Sequence, residues 1–279
     1  MIKVIDIDAI FDKYISDYVY GNIGKIKPEE IENKIPELYV KFGDEKISEL
    51  DGKTPNTYYK AFTAEQLVQC LERHLNEGVA VSDFLCEAIT SAPNAAIALV
   101  NALDDKKSEE LVLYAMNMLS EVGAEQAKDR LLEFVLWDYG EGVRELATEM
   151  LQGMADLVKE QILAQFNEVE DKKKVNLVEI LSGCKKDDRV FKILIDEFIK
   201  NQHQIPLYAG YLAKYGEERA LPFLKVAIEN EKISYADFEE LRFAIEALGG
   251  EYDKKRDFTK DKTFRKIKAK NSRENELPN

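Results

Sequence analysis

Adjacent carboxylates are the most frequent arrangement in this sequence that could do chemistry. The pairs are Glu29 with Glu30, Glu109 with Glu110, Asp187 with Asp188, and Glu239 with Glu240. Two carboxyl groups can share general acid and base work when an apolar pocket raises the pKa of one of them. The chain contains 53 Asp and Glu residues, so such pairs are expected on solvated helix faces. We therefore assign no catalytic residue.

Cysteine and histidine do not have the spacing of a metal site. Cys70, Cys86 and Cys184 lie inside helical patterns without a CxxC motif, and His74 and His203 are the only histidines. Zinc sites are typically built from closely spaced ligand pairs. We predict that the cysteines are buried in a reducing cytoplasm and that His74 is a partly buried core or rim residue, and we expect no metal.

The motifs that bind phosphate groups and nucleotides are missing. The sequence contains no GxxxxGK[ST] loop, no GxGxxG fingerprint and no GxSxG nucleophile turn. These motifs position a phosphate at a helix N-terminus or expose a catalytic serine. We therefore expect no cofactor.

Trp137 is the single tryptophan and the residue best suited to anchor a partner. In a predicted helix over 124–138, Leu131, Phe134 and Val135 form the apolar stripe. The adjoining face carries Gln126, Arg130, Glu133 and Trp137. Tryptophan is enriched among the residues that dominate binding energy at protein interfaces. Two alternatives stay open: this face binds a partner, or Trp137 packs between neighbouring helical pairs.

These residues belong to a repeating pattern of helical pairs. The glycines that end the first helix of each pair are Gly123, Gly153, Gly183, Gly216 and Gly249. They are 30, 30, 33 and 33 residues apart. A fixed period of this length is typical of a helical solenoid, in which each pair buries its apolar face against the next.

The periodicity of apolar residues predicts the helices of each pair. The first helices are predicted over 108–121, 141–152, 171–182, 205–215 and 235–248. The second helices are predicted over 124–138, 155–168, 187–200 and 217–229. Small residues lie in the middle of four first helices, at Ala115, Ala147, Ala209 and Ala244, where they would let neighbouring helices approach closely.

Two segments resemble a known repeat. Residues 138–151 are similar to the HEAT-repeat phrase with an Asp before Val-Arg, then a small residue and a leucine, here Asp138, Val143, Arg144, Ala147 and Leu151. Residues 215–228 resemble the turn and second helix of the short bacterial, PBS-lyase-type HEAT repeat. The resemblance covers about 108–250 and implies an all-α, right-handed α-α superhelix. HEAT-like repeats serve scaffolds, lyases and nucleic-acid proteins, so the resemblance implies no single function.

Net charge divides the chain into an acidic body and a basic end. The whole chain has a net charge of −14, while Tyr252–Asn279 carries ten Lys or Arg and five Asp or Glu. An acidic body favours a basic partner and disfavours nucleic acid, although a local basic groove would reverse this. We expect no membrane span, because the longest apolar runs, such as 95–100, are far below the roughly 20 residues required.

We therefore predict three segments. These are an irregular helical N-terminal cap over 1–106, HEAT-like repeats over 107–250, and a basic tail over 251–279 that is mobile, folds onto the acidic body or contacts an anionic partner. The hypothesis for function is a non-catalytic cytoplasmic scaffold that holds another protein or peptide. The alternative is an enzyme on the same scaffold, similar to the DNA glycosylases or the chromophore lyases that contain HEAT-like repeats.

Overall fold

A computed structural model describes residues 2–22 and 28–274 of the chain. The regular structure of these residues consists of α-helices and short 3₁₀ turns, without a strand. This confirms the predicted all-α class. The chain divides into two compact units, one made of Met1–Arg130 with Asp138–Leu146 and the other of Leu131–Trp137 with Ala147–Asn279. The predicted segment boundaries at 106 and 250 describe a sequence pattern and stay predictions.

The first unit contains eight α-helices among its described residues. They are α1 (Ile7–Gly21), α2 (Pro28–Glu32), α3 (Ile35–Gly43), α4 (Pro55–Tyr58), α5 (Ala64–Glu77), α6 (Asp83–Ser91), α7 (Ala95–Ala102) and α8 (Glu109–Val122). Two further helices, α9 (Lys128–Leu136) and α10 (Glu141–Gly153), contain residues of both units.

Helix α5 illustrates how local sequence sets the helix ends in the first unit. The Thr63 side chain accepts a hydrogen bond from the Gln66 backbone N–H over 3.4 Å, and the Gln66 side chain accepts one from the Thr63 N–H over 3.1 Å. This capping box satisfies two backbone donors that the first turn leaves unpaired. Gly78 ends the helix with a φ of +65°, which a residue without a Cβ adopts without strain.

The second unit contains the remaining helices of the described chain. They are α11 (Lys159–Gln165), α12 (Asp171–Leu181), α13 (Asp188–Lys200), α14 (Ile205–Tyr215), α15 (Leu221–Ile228), α16 (Tyr235–Ala247) and α17 (Lys262–Glu274). Adjacent helices pack in pairs: α12 contacts α13, α13 contacts α14, and α16 contacts both α14 and α15.

The first helices of successive pairs are joined by polar contacts in the second unit. Asn176 Nδ2 on α12 donates to Thr148 Oγ1 on α10 over 3.0 Å, and the Tyr211 hydroxyl on α14 donates to Glu179 Oε2 on α12 over 3.0 Å. The two partners are 28 and 32 residues apart in sequence, about one period of the glycine pattern. Ala147 and Ala209 are fully buried and Ala244 is nearly so, as close helix packing requires.

Three of the four second helices are shorter than the sequence pattern predicts. The α-helical parts of α9, α11 and α15 are preceded by 3₁₀ turns at Glu125–Ala127, Ala155–Leu157 and Glu218–Ala220. The apolar periodicity continues through these turns, so it does not mark where the α-helix begins. Helix α13 begins without such a turn, because the Asp187 side chain caps it by accepting from the Arg189 N–H over 2.9 Å.

The start of the predicted basic tail packs against the last helical pair. Arg256 Nη2 donates to the Ile228 carbonyl over 2.7 Å, and its Nη1 donates to the Asn230 carbonyl over 2.8 Å. Phe258 is buried, with its ring centroid 5.1 Å from that of Phe238. These are the contacts expected of an arm that folds onto the body, and the last five residues of the predicted tail lie outside the described residues.

Candidate functional site

The structure places the adjacent carboxylates on exposed or half-buried helix positions. Arg189 Nη2 donates to Asp187 Oδ2 over 2.7 Å, and this bond holds the pKa of the Asp187 carboxyl well below its usual range. A carboxylate that an arginine keeps ionised is suited to capping the start of a helix and is poorly suited to transferring a proton. The side chain of Glu29 lies outside the part that is described.

Cys70, Cys184 and His74 are buried, whereas Cys86, which was also predicted to be buried, is half-buried. Burial raises the pKa of the Cys70 and Cys86 thiols to about 11 and that of Cys184 to about 12, far from a reactive thiolate. The His74 ring is 1% exposed, with Nδ1 2.8 Å from the Cys70 carbonyl oxygen and Nε2 3.3 Å from that of Ile5. Among the described residues, no group of three or more His, Cys, Asp or Glu could hold a metal ion.

The four residues of the predicted binding face belong to different units. Gln126 is exposed within a 3₁₀ turn, and Arg130 donates from Nε to the Leu103 carbonyl over 2.8 Å; both lie in the first unit. Glu133 is half-buried and Trp137 is 57% exposed; both lie in the second unit. The structure thus describes Trp137 as exposed, and the four-residue face stays a prediction.

The second helices of the second unit share one register. A fully buried or nearly buried aliphatic residue marks it in each helix, at Leu131, Ile162, Leu194 and Leu224. These positions are 31, 32 and 30 residues apart. The position two residues further along carries Glu133, Ala164, Asp196 and Val226, all exposed or half-buried. The residues equivalent to Glu133 in the later second helices are therefore also accessible to solvent.

Large apolar side chains are exposed along this set of helices. Trp137 is 57% exposed, Leu157 47%, Ile199 53%, Phe223 38% and Val226 75%. Single exposed apolar residues are common on soluble proteins and need no explanation. Here they recur in four successive second helices or in the turns that adjoin them, which favours a surface that meets another molecule.

Ion pairs between residues 29 and 31 positions apart connect the starts of these helices. Arg189 donates to both oxygens of Glu160, from Nη1 over 2.9 Å and from Nη2 over 2.7 Å, and Arg219 Nη2 donates to Asp188 Oδ1 over 2.7 Å. The Arg219 guanidinium also lies 4.5 Å from the centroid of the Phe191 ring. Bidentate pairing and stacking are geometries that arginine makes well, and together they orient one helix relative to the next.

The sequence patterns did not predict these two ion pairs. The HEAT phrase indicates an arginine in a Val-Arg pair, whereas the arginines that form these long-range ion pairs are Arg189 and Arg219, at the starts of second helices. Their acidic partners precede them by 29 and 31 residues. The sequence signal for these ion pairs is an acidic residue followed by an arginine about 30 residues later, which is the spacing of the glycine pattern.

No family model, no curated protein and no solved structure matches this chain. Within the described residues, no helix combines the length and the apolar content needed to cross a bilayer.

Proposed function

We propose that this chain is a HEAT-like repeat protein of the cytoplasm that holds another protein or peptide and catalyses no reaction itself. The observation that carries the proposal is the recurrence of exposed large apolar side chains in the successive second helices of the second unit or in the turns next to them. Exposed apolar residues on several neighbouring helices suit an extended partner, because such a partner can contact more than one helix at once.

Polar contacts one period apart support the HEAT-like assignment. They join first helices to each other through Asn176 and Thr148, and second helices through Glu160 and Arg189. Stacked repeats contact mainly their sequence neighbours, so contacts at a constant separation of about 30 residues are expected of them.

Charge supports a basic partner. The chain has a net charge of −14, and an acidic surface attracts basic segments and accelerates their association. The basic arm of the chain itself supports this preference, since Lys254 Nζ lies 2.5 Å from Glu229 Oε1 next to the end of α15.

A capture experiment with two matched variants tests the proposal. The first variant carries Trp137→Ala, Phe223→Ala and Val226→Ala, and the control carries Tyr20→Ala, Val40→Ala and Ile97→Ala, which remove exposed apolar side chains from the first unit. We expect basic proteins to be enriched on the wild type and on the control at low salt and to be lost from the first variant.

Circular dichroism and melting temperature establish that all three proteins are folded. Capture should weaken as salt is raised, since opposite charges are screened beyond about 10 Å at 0.1 M. Equal capture by the first variant, or no enriched protein on the wild type at low salt, would contradict the proposal.

A further inference from the structure

The arm that follows α16 forms a basic surface on an otherwise acidic chain. Residues 252–268 carry eight Lys or Arg and three Asp. Four of the lysines are exposed and form no ion pair with any residue in the described part of the chain: Lys255, Lys260, Lys262 and Lys266. These cations are therefore available to an anion.

A cleft of about 520 Å³ lies between this arm and α16. Its walls include the half-buried rings of Tyr235, Tyr252 and Phe264, together with the buried rings of Phe238 and Phe258. The Tyr235 ring meets those of Phe258 and Phe264 edge to face, with centroids 5.3 and 5.0 Å apart. The packed rings hold one another in place, and the half-buried ones are accessible from the cleft.

The remaining charges of the cleft are largely paired internally. Arg242 lies 2.6 Å from Glu239 and 3.9 Å from Glu246, so these two carboxylates share one guanidinium and keep a net charge of −1. Lys254 pairs with Glu229 outside the cleft. Lys255 and Arg256 add two positive charges and Asp253 one negative charge, so the cleft itself is close to neutral, and the cations available to an anion are the exposed lysines of the arm.

We propose that this surface binds single-stranded nucleic acid, with a base stacked in the cleft and the adjoining phosphates held by Lys255, Lys262 and Lys266. Proteins that bind single strands combine a basic track for the backbone with aromatic side chains on which bases stack. Lys262 and Lys266 lie four residues apart on α17, about 6 Å along a helix axis, which lets both contact one short stretch of backbone.

The acidic body limits this site to a short strand and does not abolish it. Charges beyond about 8 Å are largely screened at physiological ionic strength, so the local cations dominate at the arm. The site is separate from the apolar surface of the second helices, and its presence does not depend on that surface binding a protein.

Fluorescence anisotropy with a labelled thymidine oligonucleotide of about 15 nucleotides tests the proposal at low salt. We expect Lys262→Ala with Lys266→Ala to weaken binding about tenfold and to reduce the slope of log affinity against log salt by about two. The control, Lys46→Ala, removes an exposed lysine of the first unit and should bind as the wild type does. Tyr252→Leu should weaken binding about tenfold while leaving the salt slope unchanged, because it removes a ring and no charge.

Two competing probes separate the alternatives. A poly-glutamate peptide of the same charge should bind at least about tenfold more weakly than the oligonucleotide, since it has no bases to stack. Equal binding of poly-glutamate would overturn the proposal in favour of an acidic protein partner. Binding of adenosine monophosphate as tight as that of the oligonucleotide would overturn it in favour of a free nucleotide, and unchanged binding by the lysine variant would overturn it outright.

Discussion

Glu197 is a buried carboxylate at a position where two of the other second helices place an apolar side chain. It is 7% exposed, and it lies three residues after Leu194 in the shared register. The corresponding residues are Phe134, Gln165 and Ala227. Its Oε2 accepts a hydrogen bond from Asn201 Nδ2 over 3.0 Å, one turn further along the chain. A carboxylate there costs more to bury than an amide does, although the hydrogen bond recovers part of that cost.

Replacing this carboxylate by an amide tests the register. We expect Glu197→Gln to leave the free energy of unfolding unchanged or to raise it by up to about 1 kcal/mol, because Gln165 already occupies the equivalent position and an amide is less costly to bury. Urea unfolding followed by circular dichroism measures the change. Glu168→Gln, at an exposed position, is the control and should stay within about 0.5 kcal/mol of the wild type. A loss above about 1 kcal/mol in Glu197→Gln would show that the charge itself supports the fold.

At the scale of helices, cations from one element recurrently bond the last carbonyls of a neighbouring element in the second unit. Lys173 Nζ donates to the Leu136 carbonyl at the end of α9 over 2.5 Å, and Arg256 bonds the carbonyls of Ile228 and Asn230 at and just beyond the end of α15. The last carbonyls of a helix lack hydrogen-bond donors within the helix and carry a partial negative charge. A lysine or arginine supplies both a donor and a positive charge. The arm thereby supplies hydrogen-bond partners for the end of α15.

Removing the arginine of the arm should loosen this arrangement. We expect Arg256→Ala to lower the free energy of unfolding by about 1 kcal/mol, since two charge-assisted hydrogen bonds to helix-end carbonyls are lost from a half-exposed site. Arg256→Lys should recover part of the loss, because an ammonium group can still reach a carbonyl. Denaturant unfolding measures these changes, with Glu251→Ala as an exposed control. Equal stability of Arg256→Ala and the control would mean that the arm is held by its aromatic rings alone.

At the scale of the whole molecule, net charge opposes the compact state. A net charge of −14 produces self-repulsion, which weakens as salt screens it. The ion pairs that salt also weakens are mostly exposed, such as Arg219 with Asp188, and exposed pairs contribute little. Screening of the repulsion should therefore outweigh loss of the pairs.

This balance predicts that salt stabilises the protein. We expect the melting temperature at pH 7 to rise by a few degrees between about 20 and 200 mM sodium chloride. The same series near pH 5, close to the sequence pI of about 4.9, is the control, because the net charge there is near zero and the effect should vanish. A falling melting temperature at pH 7 would instead assign the larger role to the ion pairs.

The helical class, the positions of most helices and several of their ends can be predicted from the linear sequence. Apolar residues at helical spacing, the Thr63 and Gln66 capping box and the Gly216 helix end act through neighbours within one or two turns, so a linear pattern carries them. The period near 30 residues also came from the sequence, because Gly123 to Gly249 mark equivalent helix ends.

Packing in three dimensions sets the exposure of Trp137, the pairing of Arg189 with Glu160 and of Arg219 with Asp188, and the docking of the basic arm on α16. The ion pairs and the docked arm depend on residues about 30 positions apart being brought within a few ångströms. The same charge or ring has one environment on a free helix and another beside a neighbouring helix, and a linear pattern cannot distinguish them. Burial and pairing are properties of the packed chain, and they follow from which helix faces meet.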